Sequence, residues 1–166
     1  MLSERARALT YVLAVTYAGL GALLFVAPFW AAPNFTWKVS PFVAMTMGGW
    51  CLGNAWAAFV VARRWHLSLV ASGMIYLTLF AVLEAAVVIT FSARVNASHW
   101  LAHLYLATIA LNLIVSSAWA INYLTLRPAL PVGDRFGVGG TVAGVSFVVF
   151  VGFLGIYGLY APPGSI

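Results

Sequence analysis

One acid and two histidines carry most of the chemistry that this sequence can offer. The stretch LTLFAVLEAAVVITF, residues 77–91, is apolar but for two threonines and a single carboxylate, Glu84. A charged side chain at the centre of a membrane helix costs about 2.5–3.5 kcal/mol on insertion scales. Glu84 is therefore expected to be neutral, paired, or open to a wet cavity. It is either an acid hydrogen-bonded to a neighbouring helix or the polar end of a ligand, proton or cofactor site.

His99 and His103 stand four apart in HWLAH and share one helix face. Counting about 1.5 Å per residue from the ends of two consecutive helices places Glu84 about 12 Å deep and His103 about 6 Å deep. That arithmetic predicts a Glu84–His103 contact, direct or through one water. Two histidines at this spacing could also bind a metal with Glu84 as third ligand, and His103 could ligate a haem iron or a pigment magnesium, or meet a quinone. A hydrolase of the HExxH type is excluded, because Trp100 stands where the glutamate must be. Without such a ligand, His99 reads as an interfacial residue.

Tyr17, Thr46 and Trp50 fall near the layer of Glu84. They are expected to line an outward-opening pocket suited to a lipidic, quinone-like, pigment or cationic ligand; ordinary packing is the other reading of the same residues. A second polar line, Tyr105, Asn112, Ser116 and Tyr123, runs with Trp119 down the segment that carries His103. Nine residues separate His103 from Asn112, about half a turn beyond whole revolutions, so the two lines are expected to face different neighbours. Asn112 is expected to pair with Asn54 across two helices, a packing role.

The elements that must position these groups are long and apolar. The chain has 166 residues, 64% of them hydrophobic and 7% charged, and a mean hydropathy of +1.02. A soluble domain carries about 25% charged residues. Five apolar runs, residues 8–29, 41–61, 67–91, 100–124 and 138–159, each reach the roughly 20 residues needed to cross a bilayer core. The fold class expected is all-α, one integral membrane bundle of five transmembrane helices forming a single domain over residues 1–166. The lone Cys51 excludes an intramolecular disulfide and a CxxC site, and reads as a small buried residue.

Charge placement sets the orientation. Arg5, Arg7, Arg63, Arg64, Arg127 and Arg135 lie on one side, six of the eight basic residues, and only Lys38 and Arg94 lie on the other. By the positive-inside rule the N-terminus is expected in the cytoplasm and the C-terminus outside, in the cell membrane. The sequence pI near 9.8 therefore reflects topology and lipid contact, with no nucleic-acid footprint. The first run exceeds a signal peptide's apolar segment of about 7–15 residues and is expected to stay in the bilayer. Pro28, Pro33 and Pro41 break the chain after the first run. Trp30, Trp37, Trp65 and Trp100 fall at expected interfaces and read as anchors. The sequons at Asn34 and Asn96 read as chance.

Gly49 and Gly53, with Ala57, and Gly140 and Gly144 repeat at four-residue spacing. They predict close helix–helix packing, within the chain or against another subunit or copy. The stretch PNFTWKVSPFVAMTMGGWCLGNAWAAF resembles a pattern found in a group of uncharacterised small bacterial multi-pass membrane proteins: P-x-F-x-W, a proline four residues on, then a glycine-containing helix. The resemblance covers about a sixth of the chain. It implies a membrane bundle and no particular activity. Nucleotide-binding, hydrolase-nucleophile and Rossmann motifs are absent from the sequence. The leading expectation is a non-catalytic membrane subunit or hydrophobic-ligand-binding module within a larger complex. The alternatives are a small proton-coupled transporter using Glu84 and His103, or a membrane enzyme using them as acid and base on a lipid-soluble substrate.

Overall fold

Proline, serine and one histidine set the helix boundaries. The computed structural model describes residues 4–65 and 67–126. Helix α1, Glu4–Val26, stops because Pro28 lacks an N–H and restricts the residue before it; Ala27 sits at φ −121°, ψ 50°. The sequence had suggested a span running on to Phe29 and then a loop. Instead Pro28 opens a short helix α2, Pro28–Asn34, occupying a first-turn position where its missing N–H is harmless.

Helix α3, Pro41–Arg64, begins with Ser40 Oγ accepting from the Val43 N–H at 3.3 Å and Pro41 in the first turn. It ends with Trp65 in the left-handed region at φ 37°, its N–H bonded to Val61 O. Helix α4 is Leu67–Thr90, followed by a 3₁₀ turn at Ser92–Arg94 and helix α5, Trp100–Leu126. His99 caps α5: its Nδ1 accepts from the Leu101 N–H at 3.2 Å. Among the described residues there is no strand.

Helix α1 packs along α3, α4 along α5, and α5 also against α1. The α1–α3 pair is antiparallel, since Arg7 Nε near the start of α1 donates to Ala62 O at the end of α3, at 2.9 Å. Their backbones approach closely at Gly21 and Gly48. A Cβ on Gly48 would lie 2.6 Å from Phe25 N and 2.9 Å from Gly21 O. Of the two roles expected for the Gly49–Gly53 stripe, packing within the chain is not one it plays against α1. A Cβ on Gly49 would meet only Phe25 Cε2 at 4.0 Å, and one on Gly53 would meet nothing within 4 Å. Successive helix positions lie about 100° apart, so moving the contact from 49 to 48 turns the whole four-residue stripe away from α1. Gly140 and Gly144 lie outside the described residues, as does the fifth expected span, 138–159.

Among the described residues three helices are long and apolar enough to cross a membrane: Glu4–Val26, Leu69–Thr90 and Trp100–Thr125. Helix α3 matches them in length, but Thr46, its glycines and Asn54 dilute its apolar character. On α4 only 17% of the most apolar window is buried, and Ile75, Leu79, Val82, Leu83, Val87 and Ile89 are exposed. A helix apolar all round fits a lipid surround and is unsuited to water. Four of the five expected spans thus correspond to helices here, three of them with spanning hydropathy. Of the described cations, Arg7, Arg63 and Arg64 gather at one end of the bundle and Lys38 and Arg94 at the other.

Candidate functional site

The buried face of α5 carries Leu101, Tyr105, Thr108, Asn112, Val115 and Trp119. The spacing alternates four and three, which keeps one stripe on one side of a helix. His103 lies off this stripe and is exposed. Tyr105 takes the place expected of it: the Tyr105 hydroxyl donates to Glu84 Oε1 at 3.5 Å, a long bond at the edge of useful geometry. The Tyr17 hydroxyl lies within electrostatic reach of the same carboxylate. Glu84 Oε2 is buried and has no hydrogen-bond partner among the described residues.

From this acid a polar line descends through the bundle. Asn112 Nδ2 donates to the Tyr17 hydroxyl at 2.8 Å and to Leu77 O at 3.1 Å, tying α5 to α1 and α4 at once. Ser116 Oγ donates to Asn112 O at 2.6 Å. Asn54 pairs elsewhere, its Oδ1 accepting from the Tyr76 hydroxyl at 2.7 Å. The expected Asn54–Asn112 pair is therefore replaced by two tyrosine–asparagine bonds. Tyrosine reaches further than asparagine, so each amide finds a partner across a wider helix gap. Each amide keeps one buried atom without a partner among the described residues, Asn54 Nδ2 and Asn112 Oδ1.

Above Glu84, towards the Lys38 and Arg94 end, three rings close over the core. Phe35 packs on Tyr105 with centroids 4.9 Å apart, and Trp37 meets Tyr105 edge-on at 5.6 Å. The same end is tied across the bundle by the Asn96 N–H, which donates to Thr36 O. Two hollows open beside this cap. One, of about 530 Å³, is lined by Trp37, Lys38, Val87, Phe91 and Arg94. The other, of about 570 Å³, shares Trp37, Lys38 and Arg94 and continues over Phe35, Pro33 and Pro41. Both volumes fall in the range of about 300–1,000 Å³ typical of small-molecule sites. Val87, in the wall of the first hollow, is about one helical turn from the half-buried Glu84.

The sequence-derived set is only partly gathered. Tyr17 is 1% exposed beside Glu84, whereas Trp50 is 52% exposed and Thr46 faces outward, bonded to Phe42 O. The pocket expected from Tyr17, Thr46 and Trp50 is not formed, because α3 turns Cys51, Asn54 and Ala55 inward. His99 has its Nδ1 committed to Leu101 and its ring grouped with those of Trp30 and Trp100, each 5.6 Å away. Among the described residues no three His, Cys, Asp or Glu side chains converge as metal ligands, so the His99–His103–Glu84 set is dispersed. Sequence reasoning placed Trp37 as an anchor and gave Phe35, Lys38 and Arg94 no site role. The signal available was that Lys38 and Arg94 are the two cations on their side of the chain.

No protein-family model matches this chain, and no curated protein or solved structure matches it.

Proposed function

We propose that this chain is a multi-pass protein of the cell membrane that binds a hydrophobic ligand without transforming it. In this reading it spans the bilayer five times, with the N-terminus in the cytoplasm, and works beside further subunits or copies of itself. The observation that carries the reading is the pair of aromatic-walled hollows that meet at Trp37, backed by the Phe35–Tyr105–Glu84 stack. The walls are apolar and ring-rich, the polar groups are few, and the whole lies where chain connections meet, as binding sites do. The test is gentle detergent purification followed by an absorption spectrum and mass spectrometry of the bound material. A lipid-soluble molecule should accompany the wild type and be depleted in Trp37→Ala. An identical complement in both proteins would refute the assignment to these hollows.

A second reading is favoured by the underpaired carboxylate. Glu84, Tyr105, Tyr17 and Asn112 form a line of exchangeable groups through the core, the arrangement a small proton-coupled carrier needs. Tyrosine then takes the part that the sequence gave to His103. Under this reading Glu84→Gln abolishes transport in proteoliposomes while the fold persists; under the first, Glu84→Gln retains the ligand.

A further inference from the structure

The two hollows share part of their wall, and this shared partition is cationic. Trp37, Lys38 and Arg94 line both. Val87 and Phe91 complete the wall on the α4 side, while Phe35, Pro33 and Pro41 belong to the α2–α3 side. The partition has a fixed foundation, because the Asn96 N–H to Thr36 O bond ties the α2–α3 connection to the α4–α5 connection. Arg94 is folded back onto the wall, its guanidinium carbon 5.8 Å from the centroid of Phe91.

Neither cation is neutralised by the described residues. The sequence holds three acids. Glu4 pairs with Arg7 at the opposite end of the bundle, at 3.6 Å, and Glu84 is engaged with Tyr105; the third, Asp134, lies outside the described residues. Among the described residues, then, two cations share a partition with apolar hollows on either side and with no carboxylate paired to them.

We propose that this place binds a two-chain anionic membrane lipid. Its phosphate sits between Lys38 and Arg94, and one acyl chain runs into each hollow on either side of Trp37. The inference rests on reading the hollows as a ligand site, and adds the chemistry of the ligand. Charge complementarity selects the anionic head: a zwitterionic head brings a cation of its own to a partition that already holds two. The guanidinium and ammonium groups offer several N–H donors to phosphate oxygens. The two hollows, rather than one, select two chains. Lys38 and Arg94 lie in the α2–α3 and α4–α5 connections, and in a chain that spans the bilayer such connections fall at the level of the lipid headgroups.

The experiment uses the full chain in neutral detergent, offered an equimolar mixture of dioleoyl phosphatidylglycerol and dioleoyl phosphatidylcholine, with retained lipid counted by native mass spectrometry. The expected result is preferential retention of phosphatidylglycerol, weakened about fivefold by Lys38→Gln and again by Arg94→Gln. Lys38→Arg and Arg94→Lys should keep the preference, which separates lost charge from lost fold. Single-chain lyso-phosphatidylglycerol should bind more weakly. Equal retention of both lipids, lost in Trp37→Ala, would overturn the anionic head while leaving the ligand site standing. Retention of neither would sink both readings. Equal retention of the one-chain lipid would overturn the two-chain assignment, and displacement of the lipid by millimolar inorganic phosphate would point to a soluble anion instead.

Discussion

Replacing Gly48 by alanine isolates a close backbone approach between α1 and α3. The added Cβ would stand 2.6 Å from Phe25 N and 2.9 Å from Gly21 O, about 0.8 Å short of ordinary contact with the first. Both obstacles are backbone atoms, so no side-chain rotation relieves them, and α1 must move away from α3. In a membrane bundle that gap is held by dispersion contacts more than by any hydrophobic driving force. A radial opening of 0.5–1 Å already forfeits roughly a quarter to a half of each contact's attraction. Overpacking of this kind costs about 1–3 kcal/mol. Gly53→Ala is the internal control: its Cβ enters open space, and alanine's better helix propensity makes it neutral or stabilising by about 0.5 kcal/mol. The assay is the folded fraction across a titration of denaturing detergent, read by circular dichroism. Gly48→Ala should unfold earlier than wild type and Gly53→Ala should not. If Gly53→Ala were the weaker of the two, the close approach would lie on the stripe read from the sequence and the packing described above would be wrong.

Asn112→Leu removes two interhelical bonds, to Tyr17 and to Leu77 O, whereas Tyr17→Phe removes one. At about 0.6–2 kcal/mol per interhelical bond, the same titration should rank Asn112→Leu as the more destabilising. Tyr105→Phe withdraws the hydroxyl that donates to Glu84 Oε1. Amide hydrogen exchange around residues 81–88 should rise, while exchange in α1 near Gly21 stays as in wild type. His103→Ala changes an exposed side chain and should leave stability within about 0.5 kcal/mol of wild type. Ser40→Ala removes the cap of α3 and should cost about 0.5–2 kcal/mol, with the loss of protection confined to residues 41–44.

What the sequence by itself determined was the order and approximate extent of the four long described helices and what they are made of, though it read the short helix α2 as a loop. Pro28 ends α1, Ser40 and Pro41 open α3, and the run 100–124 lies within α5, because these signals act through backbone hydrogen bonds and dihedrals within a few residues. It also singled out Glu84 and the line Tyr105–Asn112–Ser116, from polarity alone. Which way each helix is turned was decided only by the tertiary structure. In water a helix shows its inner face by contrast with a polar outer one. Here α4 and α5 are apolar nearly all round, so that contrast vanishes, and the interlocking of side chains sets the rotation instead. That rotation put Tyr105 rather than His103 against Glu84, and Gly48 rather than Gly49 against α1. It also brought Lys38 and Arg94, 56 positions apart in the chain, to one partition.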